Sequence, residues 1–412
     1  MTRADFELLL SADGAKLLAE LGDVQDADDV LGQVTKLRAA GHSPQLVAAV
    51  LTQAKLRRRA KAKFGEFAAQ MLFTEEGLEQ ASRLSVAAQH AERFRAAGLN
   101  RVADLGCGIG SQSMAMASLD VQVRAFDIDE VAAAATAHNL RFFENTSVEC
   151  ADVTMLEPAN PDSQIFISTD AYFFDPARRE LGGSKRERAT RKFDPSEYSP
   201  NFDFVLNAAR AKPTGIKLGP GHPHDAIPSD CEAQWISVDG DLVECTLWFG
   251  TSLARPNIAR SALMIGKAGR HELTSASFER VDAPIGELAA YIYEPDAAII
   301  RSHLLGDLAL QLGLRIFSNE IAYLTGEQEI ESPWLKKYRL IDNLVFDRKR
   351  LKALLRERGI GILEIKKRGA DIVPEQLRKE LDLKGKGAAT LIVTRVGDAH
   401  RALLVEHIPK VL

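Results

Sequence analysis

The chain has 412 residues, of which 46% are hydrophobic and 26% are charged, and its formal net charge is −5. This length is too great for a single core at about 100–200 residues per domain, and the composition excludes disordered, collagen-like and coiled-coil proteins. No apolar run approaches the roughly 20 residues that span a bilayer, and the first residues lack the basic start and apolar centre of a signal peptide. Four cysteines without a C-x-x-C pair argue against a zinc ribbon and a secreted disulfide framework. These features predict a cytoplasmic protein.

Residues 1–98 are predicted to form a helical N-terminal domain. Apolar residues recur at helical spacing in 6–10 and in 46–51, and Gly41-His42-Ser43-Pro44 predicts a break between two helices. Residues 55–63 form a dense basic run on a predicted helix. Nucleic-acid binding and a solvated helix face account for this run equally well.

From residue 99 to 285, short apolar strands alternate with helical segments, which is typical of a parallel sheet covered on both faces. The predicted elements are strands at 101–105 and 121–127 with a helix from Ser111 to Leu119 between them, then strands at 147–150, in the region of 165–168 with 171–174, and at 215–218. Asp239-Gly240 separates two strand-like runs, 234–238 and 242–249, and a further strand is predicted at 261–265. An Asp-Gly pair in this position is a strong hairpin signal.

A glycine-rich turn, Asp104-Leu105-Gly106-Cys107-Gly108-Ile109-Gly110, follows the first predicted strand. Such a turn lets the backbone approach a ligand closely, and the next helix offers unpaired N–H groups. The dinucleotide-binding pattern is G-x-G-x-x-G, whereas the third glycine falls one position early here. This spacing favours the amino-acid end of S-adenosylmethionine over a pyrophosphate. Cys107 is interpreted as a small space-filling residue of the turn.

Two acidic residues follow the turn in the order that this cofactor requires. Asp127 ends the second predicted strand about 20 residues on, where a carboxylate accepts hydrogen bonds from ribose hydroxyls, and Asp129 is a weaker candidate. Asp152 follows the third strand, where it can accept from the adenine amino group. We therefore predict a cofactor site at Asp104, Gly106, Cys107, Gly108, Gly110, Asp127, Ile128, Asp152 and Val153. A purely structural turn is the alternative.

Asp175-Pro176-Ala177-Arg178-Arg179 follows the fourth predicted strand, where amino-group methyltransferases carry an Asp/Asn-Pro-Pro-aromatic turn. There the carboxylate and a backbone carbonyl accept the hydrogens of an exocyclic amine and turn its lone pair toward the methyl group. Rate then comes from alignment and electrostatic fit. The predicted catalytic residues are Asp175, Pro176 and Arg178.

Two positions depart from that turn, since Ala177 replaces the second proline and Arg178 replaces the aromatic residue. Arg178 could stack through its guanidinium plane, bind phosphate or form a structural salt bridge. Tyr172, Phe173 or Phe174 could supply stacking from the strand instead. His222, His224 and Asp225 after the fifth strand make only a weak metal site, and no metal is predicted. Lys217 is a candidate substrate contact.

The last part of the chain is predicted to be a small α/β module. Residues 286–333 are predicted to connect it through mixed helix, and the segments 351–355, 362–365, 374–381 and 389–393 suggest helix, strand, helix and strand. Residues 334–412 hold 19 Lys+Arg against 10 Asp+Glu, a local charge of +9 against −14 for the remainder. Polyanion binding through Lys366, Lys367, Arg368 and Arg395 is one interpretation, and a solvated basic surface is the other.

With these motifs the chain resembles bacterial, especially actinobacterial, class I S-adenosylmethionine-dependent methyltransferases with a C-terminal THUMP-like domain. The resemblance covers nearly the whole chain and rests on Lys63-Phe64, 71–82, the glycine turn, 174–179, 216–221 and Thr394-Arg395. It implies a Rossmann-like α/β sheet with a terminal antiparallel hairpin, a helical N-terminal region and the small THUMP-like domain.

The resemblance further implies RNA, either tRNA or rRNA, as the substrate, because THUMP domains in other enzymes present RNA to a catalytic domain. Phe174, Arg179 and Lys217 are then expected substrate contacts beside the cations of the C-terminal module. Two alternatives stay open: a small-molecule or protein methyltransferase, and a non-catalytic RNA-binding protein that retains the fold. The glycine spacing and the hairpin argue against a nicotinamide oxidoreductase.

Overall fold

The computed structural model describes residues 1–21, 30–178, 198–267, 269–319 and 321–409. The chain divides into two units: unit 1 is Met1–Glu232 with Thr246–Pro256, and unit 2 is Ala233–Cys245 with Asn257–Leu412. Within the described ranges, no helix combines the length and the apolarity that crossing a bilayer requires.

Unit 1 begins with helices whose buried side chains share one core cluster with the glycine turn and the helices that follow it. The helices are α1 Arg3–Leu10, α2 Ala12–Leu21, α3 Val30–Ala39, α4 Pro44–Phe64, α5 Glu75–Gln80 and α6 Leu84–Ala96. The longest, α4, begins where the Ser43 hydroxyl accepts the backbone N–H of Leu46 at 3.3 Å. Phe64 at its end is buried in one cluster with Ile109 of the glycine turn. The N-terminal helices therefore help to hold the turn.

The next part of unit 1 is the predicted parallel sheet. Its elements are β1 Arg101–Leu105, α7 Ser111–Ala117, β2 Gln122–Asp127, α8 Glu130–Asn139, β3 Thr146–Cys150, α9 Gln164–Ser168, β4 Ala171–Phe174, β5 Ala177–Arg178, β6 Tyr198–Ser199, α10 Phe202–Ala211 and β7 Thr214–Leu218. Strands β7, β4, β1, β2 and β3 lie in this order, and all neighbours pair in parallel. Their carboxyl ends meet at one edge, where open α/β sheets bind ligands.

Helix α9 corrects one prediction. Residues 165–168 were expected in the region of the fourth strand, but they lie in a helix whose start is capped by Ser163, which accepts the backbone N–H of Phe166 at 3.3 Å. Strand β4 begins only at Ala171, and all four of its residues are buried. A short apolar run does not distinguish a buried strand from a helical turn, and the Ser163 cap decides the outcome.

Unit 2 contains the predicted hairpin. Strands β8 Glu232–Val238 and β9 Asp241–Phe249 are neighbours, and Asp239 and Gly240 join them with positive φ angles of 53° and 90°. A type I′ turn requires these angles and joins antiparallel strands. Strand β10, Arg260–Gly266, pairs in parallel with β8 and antiparallel with β11, Gly269–Ser275. The last four residues of β9 belong to unit 1.

A second sheet of seven strands forms the rest of unit 2. Its elements are β12 Tyr291–Pro295, α11 Ala297–Arg301, α12 Leu305–Leu312, β13 Arg315–Ile316, β14 Leu324–Gly326, β15 Leu335–Val345, α13 Arg348–Glu357, β16 Ile360–Lys367, α14 Pro374–Leu381, β17 Gly387–Val396 and β18 Ala399–Ile408. The strand order is β13-β14-β12-β15-β18-β17-β16. Leu351 and Leu355 of α13 and Leu377 of α14 pack on Leu391 and Leu404 in one core.

This sheet extends further than the sequence indicates. Residues 286–333, expected to form a connection of mixed helix, contain β12, β13 and β14. Strand β15 pairs with β12 on one side and β18 on the other. The side chain of Lys337 in β15 is fully buried, and its ammonium donates to Glu329 at 2.7 Å and to Glu331. Strand β15 was not predicted from the sequence because Lys337 occupies a buried position and interrupts the alternation of apolar and polar residues.

Candidate active site

A cavity of about 430 Å³ lies in unit 1 at the carboxyl ends of the parallel strands. Eight residues singled out from the sequence line it: Gly106, Cys107, Gly108, Asp127, Ile128, Asp152, Val153 and Asp175. The lining residues that sequence reasoning did not single out are Gly77, Gln80, Ala81, Ile109, Ser111, Ala151, Thr154, Ala177, Ser199, Pro200, Asn201 and Phe204. They come from α5, from the turns after the strands and from the chain that enters α10.

The structure explains why each of the three positions in the glycine turn is occupied by glycine. All three have positive φ: 96° at Gly106, 57° at Gly108 and 82° at Gly110. A Cβ at Gly106 would come within 2.9 Å of the Asp175 carbonyl oxygen, and one at Gly110 within 2.9 Å of the Thr136 methyl group. A Cβ at Gly108 would meet nothing within 4 Å. The outer glycines therefore permit close packing, and the middle one leaves its side of the turn open.

Asp127 holds the glycine turn from β2. Its Oδ2 accepts the backbone N–H of Gly108 at 2.8 Å, and its Oδ1 accepts that of Asp129 at 2.9 Å. Burial raises the pKa of Asp127 above its ordinary value, although these two hydrogen bonds lower it. Asp129 instead caps α8, since its Oδ1 accepts from Val131 and Ala132. Asp127 is thus the one of the two aspartates that lines the cavity.

Asp152 and Ile128 form the outer wall on the β3 side. The Asp152 carboxylate is exposed and accepts the backbone N–H and the hydroxyl of Thr154 at 2.9 and 2.7 Å, which lowers its pKa. The side chain of Ile128 is 66% exposed although it lines the cavity. An apolar side chain next to two carboxylates is suited to cover a planar ring whose polar edge is bound by acceptors.

Asp104 lies beneath the turn and does not line the cavity. It is 1% exposed, its Oδ2 accepts the hydroxyl of Ser113, and its Oδ1 has no hydrogen-bond partner among the described residues. Burial, together with the nearby charges of Asp175 and Asp127, raises the pKa of Asp104 to about 7, against a lowering by the Ser113 hydrogen bond and by the charge of Lys217. Burial therefore favours the protonated form of Asp104 over the charged one.

Asp175 is held by a lysine of β7, the strand next to β4. Lys217 in β7 donates to Oδ2 of Asp175 at 2.6 Å and to the backbone carbonyl of Gln80 at 2.8 Å. The side chain of Lys217 is 12% exposed and that of Asp175 is 35% exposed. Lys217 thus stands behind Asp175 and fixes its carboxylate to the end of α5, although the sequence suggested a direct substrate contact.

A second lysine anchors the same end of α5. Lys63 in α4 donates to the backbone carbonyls of Leu78, Glu79 and Ala81 at 2.8, 2.7 and 2.7 Å. These are unpaired carbonyls at the carboxyl end of the helix, where a positive charge is favoured. Lys63 belongs to the basic run predicted at 55–63, and its charge holds a wall of the cavity together.

The acceptor turn continues into a two-stranded ribbon. Ala177 pairs with Ser199 and Arg178 with Tyr198, antiparallel. The returning chain thereby brings Pro200, Asn201 and Phe204 to the cavity that Asp175 also lines. The sequence does not predict this ribbon, because the pairing joins residues that are about 20 positions apart along the chain.

Other predicted residues of the acceptor turn lie elsewhere. Phe174 is fully buried and does not line the cavity, with Tyr172 and Phe204 packed edge-on against it, so its position gives no support to the expected direct substrate contact. Pro176 is buried and does not line the cavity. The side chain of Arg178 and the whole of Arg179 lie outside the described residues.

The four cations singled out in unit 2 fall into two pairs. Lys366 donates to Glu294 at 2.7 Å, and Arg368 donates to the carbonyl of Ala322 at 2.7 Å. Both side chains are half-buried and have partners within the unit, and their role in phosphate binding stays a prediction. Lys367 and Arg395 are exposed, and Arg395 uses one N–H to reach the Gly369 carbonyl at 3.2 Å.

Known proteins resemble this chain over most of its length. A family model described as THUMP domain-like matches residues 335–407, and one described as a domain of unknown function matches residues 2–60. Two sequences from strains of Mycobacterium tuberculosis, both named as uncharacterised S-adenosylmethionine-dependent methyltransferases, are 31% identical over 371 residues, or 88% of this chain and 95% of theirs. The crystal structure of a proposed methyltransferase from Porphyromonas gingivalis matches with a TM-score of 0.73 at 20% identity, covering 96% of this chain and 99% of that one, and this likeness shows the fold.

The residues of the cavity fit the cofactor that the names of the curated relatives give. The open side of Gly108, the carboxylates of Asp127 and Asp152 and the exposed side chain of Ile128 face one cavity. The backbone at Gly108 would hold the amino-acid end of S-adenosylmethionine, and Asp127 would accept hydrogen bonds from the ribose. Asp152 would accept from the adenine amino group, and Ile128 would cover the adenine ring. The chain therefore belongs to the S-adenosylmethionine-dependent methyltransferases, with S-adenosylmethionine as its cofactor and a THUMP-like domain at its C-terminal end.

Proposed function

We propose that this methyltransferase modifies an amino group of a base in RNA, with tRNA or rRNA as the substrate. The observation that carries the proposal is the THUMP-like domain at residues 335–407, because THUMP domains in other enzymes present RNA to a catalytic domain. The net charge of +9 over residues 334–412 supports it. A cationic surface attracts the phosphate backbone of RNA without reading its sequence.

The exposed cations of unit 2 offer a site for phosphates. Strands β16 and β17 are parallel neighbours, with Lys367 opposite Val393, so Lys367 and Arg395 emerge at the same edge of the sheet. An arginine has five N–H donors, and one hydrogen bond to the Gly369 carbonyl leaves most of them for a phosphate. These two residues are the favoured phosphate contacts of the domain.

In the proposed reaction, the role of Asp175 is to orient the amine that accepts the methyl group. S-adenosylmethionine supplies a methyl group on a positively charged sulfur, and a nitrogen lone pair must be aligned with it. A carboxylate offers about four acceptor positions, so Asp175 can accept an amine hydrogen while Lys217 occupies one position at 2.6 Å. Alignment rather than strong base catalysis then supplies the rate.

The test compares Asp175→Ala with Asp175→Asn. The alanine variant removes the acceptor, and we expect methyl transfer to RNA to fall by about 100-fold or more, because misalignment alone costs that much. The asparagine variant keeps an acceptor oxygen for both Lys217 and the amine, and we expect it to stay within about tenfold of wild type. Transfer is measured as label moved from S-[methyl-³H]adenosylmethionine to total RNA of a strain that lacks the gene.

Calorimetry with S-adenosylmethionine is the control, and both variants should bind it as the wild type does. Undiminished transfer by Asp175→Ala would remove Asp175 from the mechanism. Label that survives ribonuclease and is lost with protease would replace RNA by a protein acceptor, and label only in the small-molecule fraction would indicate a metabolite.

A further inference from the structure

The acceptor turn lacks the aromatic residue that would stack on a base, since Arg178 stands in its place. The structure brings a different aromatic ring to the same cavity. Of the described residues that line it, Phe204 is the only aromatic one. It reaches the cavity because the ribbon of β5 and β6 returns the chain beside Ala177, immediately before α10.

The neighbouring aromatic residues of this segment have structural positions. Tyr198 and Phe202 are 2% and 3% exposed, and their rings lie 5.8 Å apart. Phe202 also lies 5.4 Å from the ring of His222. Phe204 alone among the three is half-buried, with one side toward the cavity. The segment thus exposes one aromatic face and buries two.

The Phe204 ring is also held in place. It meets the ring of Phe174 edge-on, with centroids 6.5 Å apart and planes at 85°. This is a favoured geometry for an aromatic pair, and Phe174 itself is fully buried. A fixed ring loses little conformational freedom when a ligand stacks on it. Phe174 therefore supports the substrate site from behind.

The order of the strands decides which half of the cavity Phe204 serves. The glycine turn follows β1, and β2 and β3 lie on one side of β1 while β4 and β7 lie on the other. Asp127 and Asp152, which follow β2 and β3, belong to the adenosine half. Asp175 follows β4, and the ribbon returns Phe204 to that side. The ring and the carboxylate therefore share the acceptor half.

We propose that Phe204 is the stacking residue for the acceptor, so that a planar base lies against its ring with an amino group directed to Asp175. This inference rests on the proposed function. Aromatic stacking tolerates different bases because each has a π face, so Phe204 selects a flat ring and Asp175 selects the amine on it. Phe204 of α10 then takes the role of the aromatic residue that the turn lacks, and Arg178 is not needed for stacking.

The experiment measures methyl transfer to total RNA from a strain that lacks the gene, for Phe204→Leu and Phe204→Tyr. Leucine keeps apolar contact with Phe174 and removes the aromatic face, and we expect the apparent KM for RNA to rise about tenfold. Tyrosine keeps the face, and its KM should stay within about threefold of wild type. Phe142→Leu is the matched control, because Phe142 is 68% exposed and does not line the cavity.

Calorimetry with S-adenosylmethionine and a thermal melt accompany each variant, and the cofactor Kd should not change. A Phe204→Leu enzyme with wild-type KM overturns the assignment while RNA methylation stands. A cofactor Kd that rises in Phe204→Leu also overturns it, because the ring would then pack on the cofactor. Should the wild type bind cofactor yet label no RNA, the proposed function fails, and the base-stacking role fails with it.

Discussion

The two halves of the cavity are built in different ways. The adenosine half uses the turn after β1 and the residues after β2 and β3, all between Asp104 and Val153. Backbone conformation and two carboxylates define it. The acceptor half combines Asp175 after β4 with Lys217 from β7, the Gln80 carbonyl from α5 and Phe204 from α10. Its parts come from four elements that lie far apart along the chain.

The two halves therefore differ in what a substitution is expected to disturb. In the adenosine half each glycine has a positive φ and two of them touch other residues closely, so substitution there disturbs the turn itself. In the acceptor half an ion pair and an aromatic pair hold the side chains, while the backbone of Asp175 packs against Gly106 of the glycine turn. We therefore expect variants of the first half to lose cofactor and variants of the second to lose transfer.

The largest expected effect concerns Asp104, which lies beneath both halves. Burial raises its pKa from 3.8 to about 7, a difference equivalent to at most about 4 kcal/mol. Because the native carboxyl holds its proton more tightly than the unfolded one, its contribution to stability is present below about pH 4 and is lost as the pH rises through about 7. Asp104→Asn should therefore gain stability relative to wild type across this interval and level off above it, as measured by urea unfolding of the cofactor-free protein.

Ser113→Ala provides the matched variant for this test. The Ser113 hydroxyl lowers the pKa of Asp104, so its removal should move the loss of stability to higher pH. A difference between Asp104→Asn and wild type that does not depend on pH would show that Asp104 is charged throughout and that its burial is compensated by groups of both halves.

The second effect separates two neighbouring aspartates. Asp127→Ala removes the acceptor of the Gly108 N–H and the carboxylate expected to bind the ribose, and hydrogen bonds to a charged group contribute about 1.5–3 kcal/mol each. We expect the Kd for S-adenosylmethionine to rise about 100-fold by calorimetry. Asp129→Ala removes only the cap of α8 and should cost about 1 kcal/mol of stability at an unchanged Kd. Equal losses of affinity would assign the ribose contact to both residues.

Most residues predicted for the adenosine half line the cavity, and they could be identified from the sequence because their signals are local. The spacing of Gly106, Gly108 and Gly110 and the place of Asp127 at a strand end are properties of short segments, and the structure brings Gly106, Gly108 and Asp127 to one cavity. The hairpin at Asp239-Gly240 was equally local, because only a few turn types accept two positive φ angles.

The other features could not be predicted from the sequence, because they depend on contacts between residues that are far apart in the chain. Lys217 is predicted from the sequence as a substrate contact, and only the structure shows that it donates to Asp175 and to the Gln80 carbonyl. Lys337 likewise contradicts the rule that charged residues lie outside, since two glutamates permit its burial in β15. Phe204 carries no motif, and only the ribbon of β5 and β6 gives it a place.

The smallest effect tests whether Lys217 positions Asp175 or merely stabilises unit 1. Lys217→Met removes two hydrogen bonds, and Lys212→Met does the same for Lys212, which donates to the carbonyls of Phe166 and Thr169 at 2.6 Å each. Both variants should lose about 1–3 kcal/mol in urea unfolding, because bonds from a charged donor are lost. Only Lys217→Met removes a hydrogen bond to the Asp175 carboxylate, so its kcat should fall about tenfold at an unchanged cofactor Kd, while Lys212→Met keeps the wild-type kcat. A parallel fall in both would mean that transfer follows the stability of unit 1, and the acceptor half would then depend on the fold as closely as the adenosine half does.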